Sequence, residues 1–224
     1  MIGIGTSLLF GRRAGKAGPP IPPFNKAMVD AWFMSGLSNV DNPSSIRGIK
    51  GNEMQLKNFV FTSESGFGEG SYEGALVFDG VDDYGICTGL PILDDYTVIC
   101  RREIINEYYA VASKSKVVGK GAFIFELIAN KINFCYSFGA SNEINLYNGE
   151  ISWQTKKSYN GNMIKMGDRK DTDTLTLGTV REGDGRHLEG AIYYFALYNK
   201  SLTPEEIETE KERLNEEWLK RKTE

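Results

Sequence analysis

The chain has 224 residues, 41% hydrophobic and 25% charged, which is ordinary globular usage; it excludes wholesale disorder and suits one all-β domain with small appendages. A net charge of −4 and a pI near 5.3 leave no basic surplus for neutralising phosphates, so no nucleic-acid partner is expected. No stretch approaches the ~20 apolar residues of a membrane helix, and no membrane insertion is expected.

Residues 1–24 are rich in Gly and Pro, with Pro19, Pro20, Pro22 and Pro23 forming a nearly continuous run that can only be extended. This reads as an arm or linker, with a docking arm and a disordered tail as the two alternatives. Arg12 and Arg13 follow the short apolar stretch of this segment where a secretory leader would place its basic residues first, so no signal peptide is expected.

From Ala27 the pattern changes to short apolar runs broken by Gly, Asn and Asp: ALVF (75–78), YTVIC (96–100), YYAVAS (108–113), FIFELI (123–128), KINFCYSF (131–138), EINLY (143–147), LTLGTV (175–180) and AIYYFALY (191–198). These lengths suit strands, and many short strands with such punctuation predict a sandwich over 25–202. Ile132, Phe134, Tyr136 and Phe138 alternate with polar neighbours, as one buried strand face would. Gly119-Lys120-Gly121 lacks the spacing of a phosphate loop and reads as a hairpin turn. Cys87, Cys100 and Cys135 are odd in number and without a C-x-x-C pair, which points to buried free thiols rather than disulfides or zinc.

The last segment, 203–224, is a helix. Thr203-Pro204-Glu205-Glu206 has the form of a capping box with proline at the first helical position, and the spacing predicts a helix to about Lys220. Ile207, Leu214 and Trp218 form its apolar stripe, with Glu216/Lys220 and Glu217/Arg221 as i,i+4 pairs. So narrow a stripe is too sparse for an autonomous coiled coil and favours packing on the sandwich, with packing between subunits as the alternative.

Several stretches, in order, resemble the laminin G-like domains of the concanavalin A-like superfamily. GALVFDGVDDYGIC (74–87) resembles the family's early strand-turn-strand, VASKSKVVGKGAFIFELI (111–128) its glycine-rich turn passage, and LEGAIYYFALYNKSLTPEEI (188–207) its closing strand and short helix. Ala31-Trp32-Phe33 with GNEMQLKNFVF (51–61) resembles the opening strand and the turn after it. The resemblance implies an antiparallel two-sheet jelly roll and covers about 27–207.

Candidate sites follow from residue chemistry. In FDGVDDY (78–84), Asp79-Gly80 makes a tight reversal; Phe78 is expected to be buried and Tyr84 at least partly so, with Asp82 and Asp83 accepting backbone N–H groups. Asp79, Asp82 and Asp83 are also candidate Ca²⁺ ligands, since that hard cation takes several oxygens; otherwise no cofactor is expected. Asp168, Asp171 and Asp173 form a second acidic loop without the Gly and terminal Glu of an EF-hand. Tyr147, Asn148, Trp153, Tyr159 and Asn160 combine aromatic faces with amides, the chemistry that binds sugars.

Catalysis is not expected. Some relatives in the superfamily are glucanases that carry two glutamates flanking an aspartate; Glu103 and Glu107 sit at that spacing, but Ile105 stands in the aspartate's place. His187 is the only histidine and no serine has a nucleophile context. An outward-facing fold without an export leader suggests release by lysis. The expectation is a non-catalytic bacteriophage virion protein, a fibre or decoration component made in the host cytoplasm. Residues 1–24 would dock it to other virion proteins, and a homo-oligomeric jelly roll would bind glycan or protein. A stand-alone bacterial carbohydrate-binding module and a degenerate glycoside hydrolase are the alternatives.

Overall fold

The computed structural model describes residues 23–104, 110–117, 120–128, 131–137, 140–145, 151–155, 158–159, 162–163, 172–180 and 185–224. Most of the arm expected at 1–24 therefore lies outside the described residues. In chain order the strands are β1 (Met28–Phe33), β2 (Ser45–Arg47), β3 (Glu53–Lys57), β4 (Gly66–Phe67), β5 (Leu76–Asp79), β6 (Tyr84–Cys87), β7 (Thr97–Ile104) and β8 (Ala110–Val117). They continue with β9 (Lys120–Ile128), β10 (Lys131–Ser137), β11 (Ala140–Asn145), β12 (Ile151–Thr155), β13 (Ser158–Tyr159), β14 (Asn162–Met163), β15 (Leu175–Leu177) and β16 (Glu189–Tyr198), and one α-helix, α1 (Pro204–Thr223), follows.

These strands form two sheets, and every pairing between them is antiparallel. The first runs β14-β13-β12-β7-β16-β5-β4, with β1 also paired to β16; the second runs β11-β10-β9-β8-β15-β6-β3-β2. The fold is thus an all-β, two-sheet antiparallel jelly roll with a C-terminal helix. Strand β16 organises the first sheet because it is long enough for two partners on one side: β5 takes Glu189 to Ile192, and β1 takes Tyr194 to Tyr198.

Two apolar clusters lie on the two faces of that first sheet. Trp32, Phe78, Val98, Ile192, Phe195 and Leu197 point inward against Met54, Leu56, Cys87, Val111, Leu175 and Leu177 of the second sheet. On the outer face, Phe33, Val77, Ile99, Tyr194 and Tyr198 pack against Ile207, Leu214 and Trp218 of α1. The helix therefore packs on the sandwich and β16 is buried on both sides, which explains why its sequence is an uninterrupted apolar run instead of an alternating one. A register shift between Ile192 and Tyr194 adds one residue to β16, so Tyr193 and Tyr194 both join the helix-facing cluster.

The helix begins as its sequence predicts: Thr203 accepts from the Glu206 N–H while the Glu206 side chain accepts from the Thr203 N–H at 2.9 Å. It runs one turn further than expected, to Thr223. The Glu217–Arg221 pair forms at 2.8 Å, whereas Lys220 pairs with Glu224 at 3.5 Å. Glu210, one turn from Ile207 on the same face, is also buried. It accepts from the Tyr198 hydroxyl (2.9 Å), the Asn25 N–H (3.0 Å) and the Arg213 guanidinium, which compensates for burying its charge.

Candidate functional site

The turn between β5 and β6 is built by its own aspartates. Asp79 Oδ1 accepts from the N–H of Val81 at 2.8 Å and of Asp82 at 3.4 Å, closing the reversal that Gly80 permits with its φ of +78°. A side chain at Gly80 would meet Glu189 on β16, 2.9 Å from its Cβ. Phe78 is buried in the inter-sheet core and Tyr84 is buried beside His187, their rings 6.5 Å apart, so both ends of the turn are anchored. Of the two aspartates expected to accept backbone N–H groups, Asp83 does and Asp82 does not. Asp83 Oδ2 takes the Asp79 N–H at 3.1 Å, while Asp82 donates its own N–H and offers its carbonyl to Asn58 Nδ2 at 2.9 Å.

Asp83 is fully buried, Asp79 half-buried and Asp82 exposed, and one carboxylate oxygen from each lies within 4.8 Å of the others. Burial pushes the Asp83 carboxyl up from 3.8 to about 6; hydrogen bonds from Ser65 and the Asp79 N–H oppose the rise, and the neighbouring Asp79 and Asp82 charges add to it. Asp83 Oδ1 has no hydrogen-bond partner. The donor set fits a hard divalent cation such as Ca²⁺: two oxygens each ~2.4 Å from one Ca²⁺ can lie at most ~4.8 Å apart.

Other sequence-derived candidates are distributed differently. Trp153 lies on β12 opposite Ile99 of β7, and Tyr159 lies on β13 opposite Gln154, so both belong to the β14 edge of the first sheet. Their side chains, and Tyr147, Asn148 and Asn160, lie outside the described residues, as do Asp168, Asp171 and Glu107. Asp173 accepts from the neighbouring Thr174 hydroxyl at 3.1 Å. Glu103 accepts from the Tyr193 hydroxyl at 3.2 Å, on the face of the first sheet that packs against α1. Cys87 and Cys100 are free, buried thiols pushed up to about 11 and about 12, in both cases chiefly by burial.

Four buried charges escaped the sequence reading: Asp30, Arg102, Lys114 and Glu210. Asp30 accepts from the N–H groups of Ala31 (2.7 Å), Lys50 (2.8 Å) and Asn52 (2.9 Å) and from Asn52 Nδ2 (2.8 Å), pinning the β2–β3 hairpin to β1. Lys114 donates to the carbonyls of Pro91 (3.0 Å) and Thr172. The partners of Asp30 and Lys114 are up to 22 and 58 residues away, so no local motif announces them. A cleft of about 390 Å³ opens between the ends of β1, β2 and α1, lined by Phe33, Ser35, Ser45, Arg47, Arg221 and Glu224. Its Arg221 is already held by Glu217 and lies over the Phe33 ring.

No family model and no curated protein matches the chain. Solved structures do match in fold. The Trypanosoma rangeli sialidase in complex with sialic acid is 12% identical with a TM-score of 0.58 over 86% of this chain and 33% of the sialidase. A mutant of the T. rangeli sialidase displaying trans-sialidase activity is 13% identical, TM-score 0.57, over 85% of this chain and 33% of that one. The binding domain of botulinum neurotoxin serotype D is 11% identical, TM-score 0.51, over 81% of this chain and 50% of the domain. The chain thus spans about a third of the sialidases and half of the toxin domain, and at such identities the likeness is one of fold: a two-sheet jelly roll similar to part of each.

Proposed function

We propose that the protein is a non-catalytic adhesion component of a bacteriophage virion whose jelly roll binds glycan or protein. The observation that carries the binding role is the shared fold with a solved toxin domain that is itself a binding domain. Two features agree with a role without chemistry. Glu103, one of the two glutamates at glucanase spacing, is held by Tyr193 on the helix-packed face of its sheet. The inward face of the same sheet is filled by Trp32, Phe78, Phe195 and other apolar side chains that leave no paired carboxylates between the sheets among the described residues.

The virion setting rests on chemistry of a different kind. Cys87 and Cys100 are buried and unpaired, as suits synthesis in a reducing cytoplasm. Phe24 packs against the helix-facing cluster and Asn25 is tied to α1 through Glu210 (3.0 Å) and Glu206 (3.2 Å), so a docking arm in the Gly- and Pro-rich segment would join the sandwich at a fixed point. Sugar contacts are assigned to the β12–β13 edge, where Trp153 and Tyr159 lie, with Tyr147, Asn148 and Asn160.

Negative-stain imaging of purified particles with gold-conjugated antibody against this chain tests the setting. Label at the head or tail is the expected result; its absence from particles that contain the intact virion proteins contradicts it.

A further inference from the structure

We propose that the guanidinium of Arg102 anchors a carboxylate-binding site between the two sheets. Arg102 lies on β7, where Val98 and Cys100 point into the inter-sheet core and Ile99 points to the helix-facing side, so alternation along the strand aims Arg102 inward. Its cross-strand neighbour Ile192 belongs to the same core. The side chain is 3% exposed, and its Nε and Nη2 have no hydrogen-bond partner.

The other three buried charges that no local motif announced are compensated by the fold. Asp30 has four N–H donors, Lys114 holds two carbonyls, and Glu210 accepts from Tyr198, Asn25 and Arg213. Among the described residues nothing does the same for Arg102. A buried charge left unpaired is far costlier than a neutral group left unpaired, and its persistence points to a partner from outside the chain. A second feature lies beside it. Of the inward positions on β16, which are Gly190, Ile192, Phe195 and Leu197, Gly190 is the one without a side chain, and it pairs with Ile104, two residues beyond Arg102 on β7. Glycine inside a strand marks close approach to the backbone.

The open nitrogens define the ligand. Nε and Nη2 carry the parallel N–H bonds along one edge of the guanidinium, the edge that meets both oxygens of a carboxylate in a bidentate pair. A water or halide offers one acceptor to a fork built for two, and a neutral hydroxyl leaves the charge uncompensated. Phosphate and sulfate bring further charged oxygens that apolar neighbours such as Ile192 cannot satisfy. Because the fork is buried, the ligand enters through a local opening, and the pair then forms where the dielectric is low.

The test is thermal unfolding and calorimetric titration of the full chain with acetate, glucuronate or neutral glucose, at constant ionic strength set with chloride. The carboxylates are expected to bind with dissociation constants on the order of 1 mM and, at ~20 mM, to raise Tm by several degrees, with no response to glucose. A response to both assigns the site to carboxylates in general, and a response to glucuronate alone assigns it to acidic sugars; either supports it. Arg102→Met removes an uncompensated charge, so it should raise the Tm of the ligand-free protein and abolish the response. Arg102→Lys keeps the charge without the fork and should weaken binding by about tenfold or more. No response to either carboxylate at ~20 mM, an order above the expected affinity, would overturn the site. So would a response to glucose equal to that of glucuronate, or a response that survives in Arg102→Met. A ligand-free Arg102→Met less stable than the wild type would show that the fold itself compensates the guanidinium, and would overturn the proposal as well. These readouts are independent of the virion setting and of sugar contacts at the β12–β13 edge.

Discussion

Asp30 and Asp83 are both buried carboxylates, and their surroundings send them in opposite directions. Asp30 has four donors, so it works as the structural centre of the β2–β3 hairpin; Gly48 lies so close that a Cβ there would stand 2.4 Å from the carboxylate. Asp30→Ala leaves three backbone N–H groups unpaired, and we expect a loss of about 3 kcal/mol or more, read as a lower Tm with an unchanged urea m-value. Asp83 has too few donors for its burial. Between pH 3.8 and about 6 the native state keeps a proton that the unfolded chain has released, so this group lowers stability as pH rises through that window. Urea melts across the window should show that fall in the wild type and its absence in Asp83→Asn, which is accordingly the more stable protein at pH 7 without metal. Turn residues of this kind were legible from FDGVDDY, including the burial of Phe78 and Tyr84, because a tight reversal is local chemistry. The division of labour among the aspartates was not, since it depends on Asn58 and Ser65 arriving from another loop.

At the scale of elements, α1 is held by its cap, its apolar stripe and one buried charge. Trp218 is the principal anchor: its ring packs edge-on against Tyr193 at 5.6 Å, lies under the Arg101 guanidinium at 4.3 Å, and donates Nε1 to the Gly74 carbonyl at 2.8 Å. Trp218→Ala should cost about 3–5 kcal/mol, a Tm drop of about 10 °C or more, because the cavity opens beneath a rigid sheet. Thr203→Ala should cost only about 1 kcal/mol in the same assay, the worth of a cap. The helix and its packing were readable from Thr203-Pro204 and from Ile207, Leu214 and Trp218. Glu210 was not, since a glutamate in so charged a helix looks like surface until Tyr198 and Asn25 are seen against it.

Across the whole molecule, the apolar runs predicted the strands and the turn chemistry predicted where they stop, but the pairing order was hidden. That β5 and β1 share one side of β16 depends on residues more than a hundred positions apart, and the extra residue at Tyr193 is set by what packs above it rather than by any local signal. The resulting fold is a two-sheet sandwich whose first sheet is closed on one face by α1 and on the other by the second sheet. The outer face of the second sheet, where Glu53, Gln55 and Lys57 are exposed, stays open to solvent with the loops and edges, among them the β12–β13 end of the first sheet and the rim that carries Asp82 and the exposed Val60 and Val81. The binding role is tested most directly by probing a glycan array with the full chain in Ca²⁺ and in chelator, beside Trp153→Ala. Saturable binding to a defined set of glycans, lost in Trp153→Ala while its Tm holds, is the expected result. An array without specific binding, together with no protein captured from the host cell surface, would contradict the account.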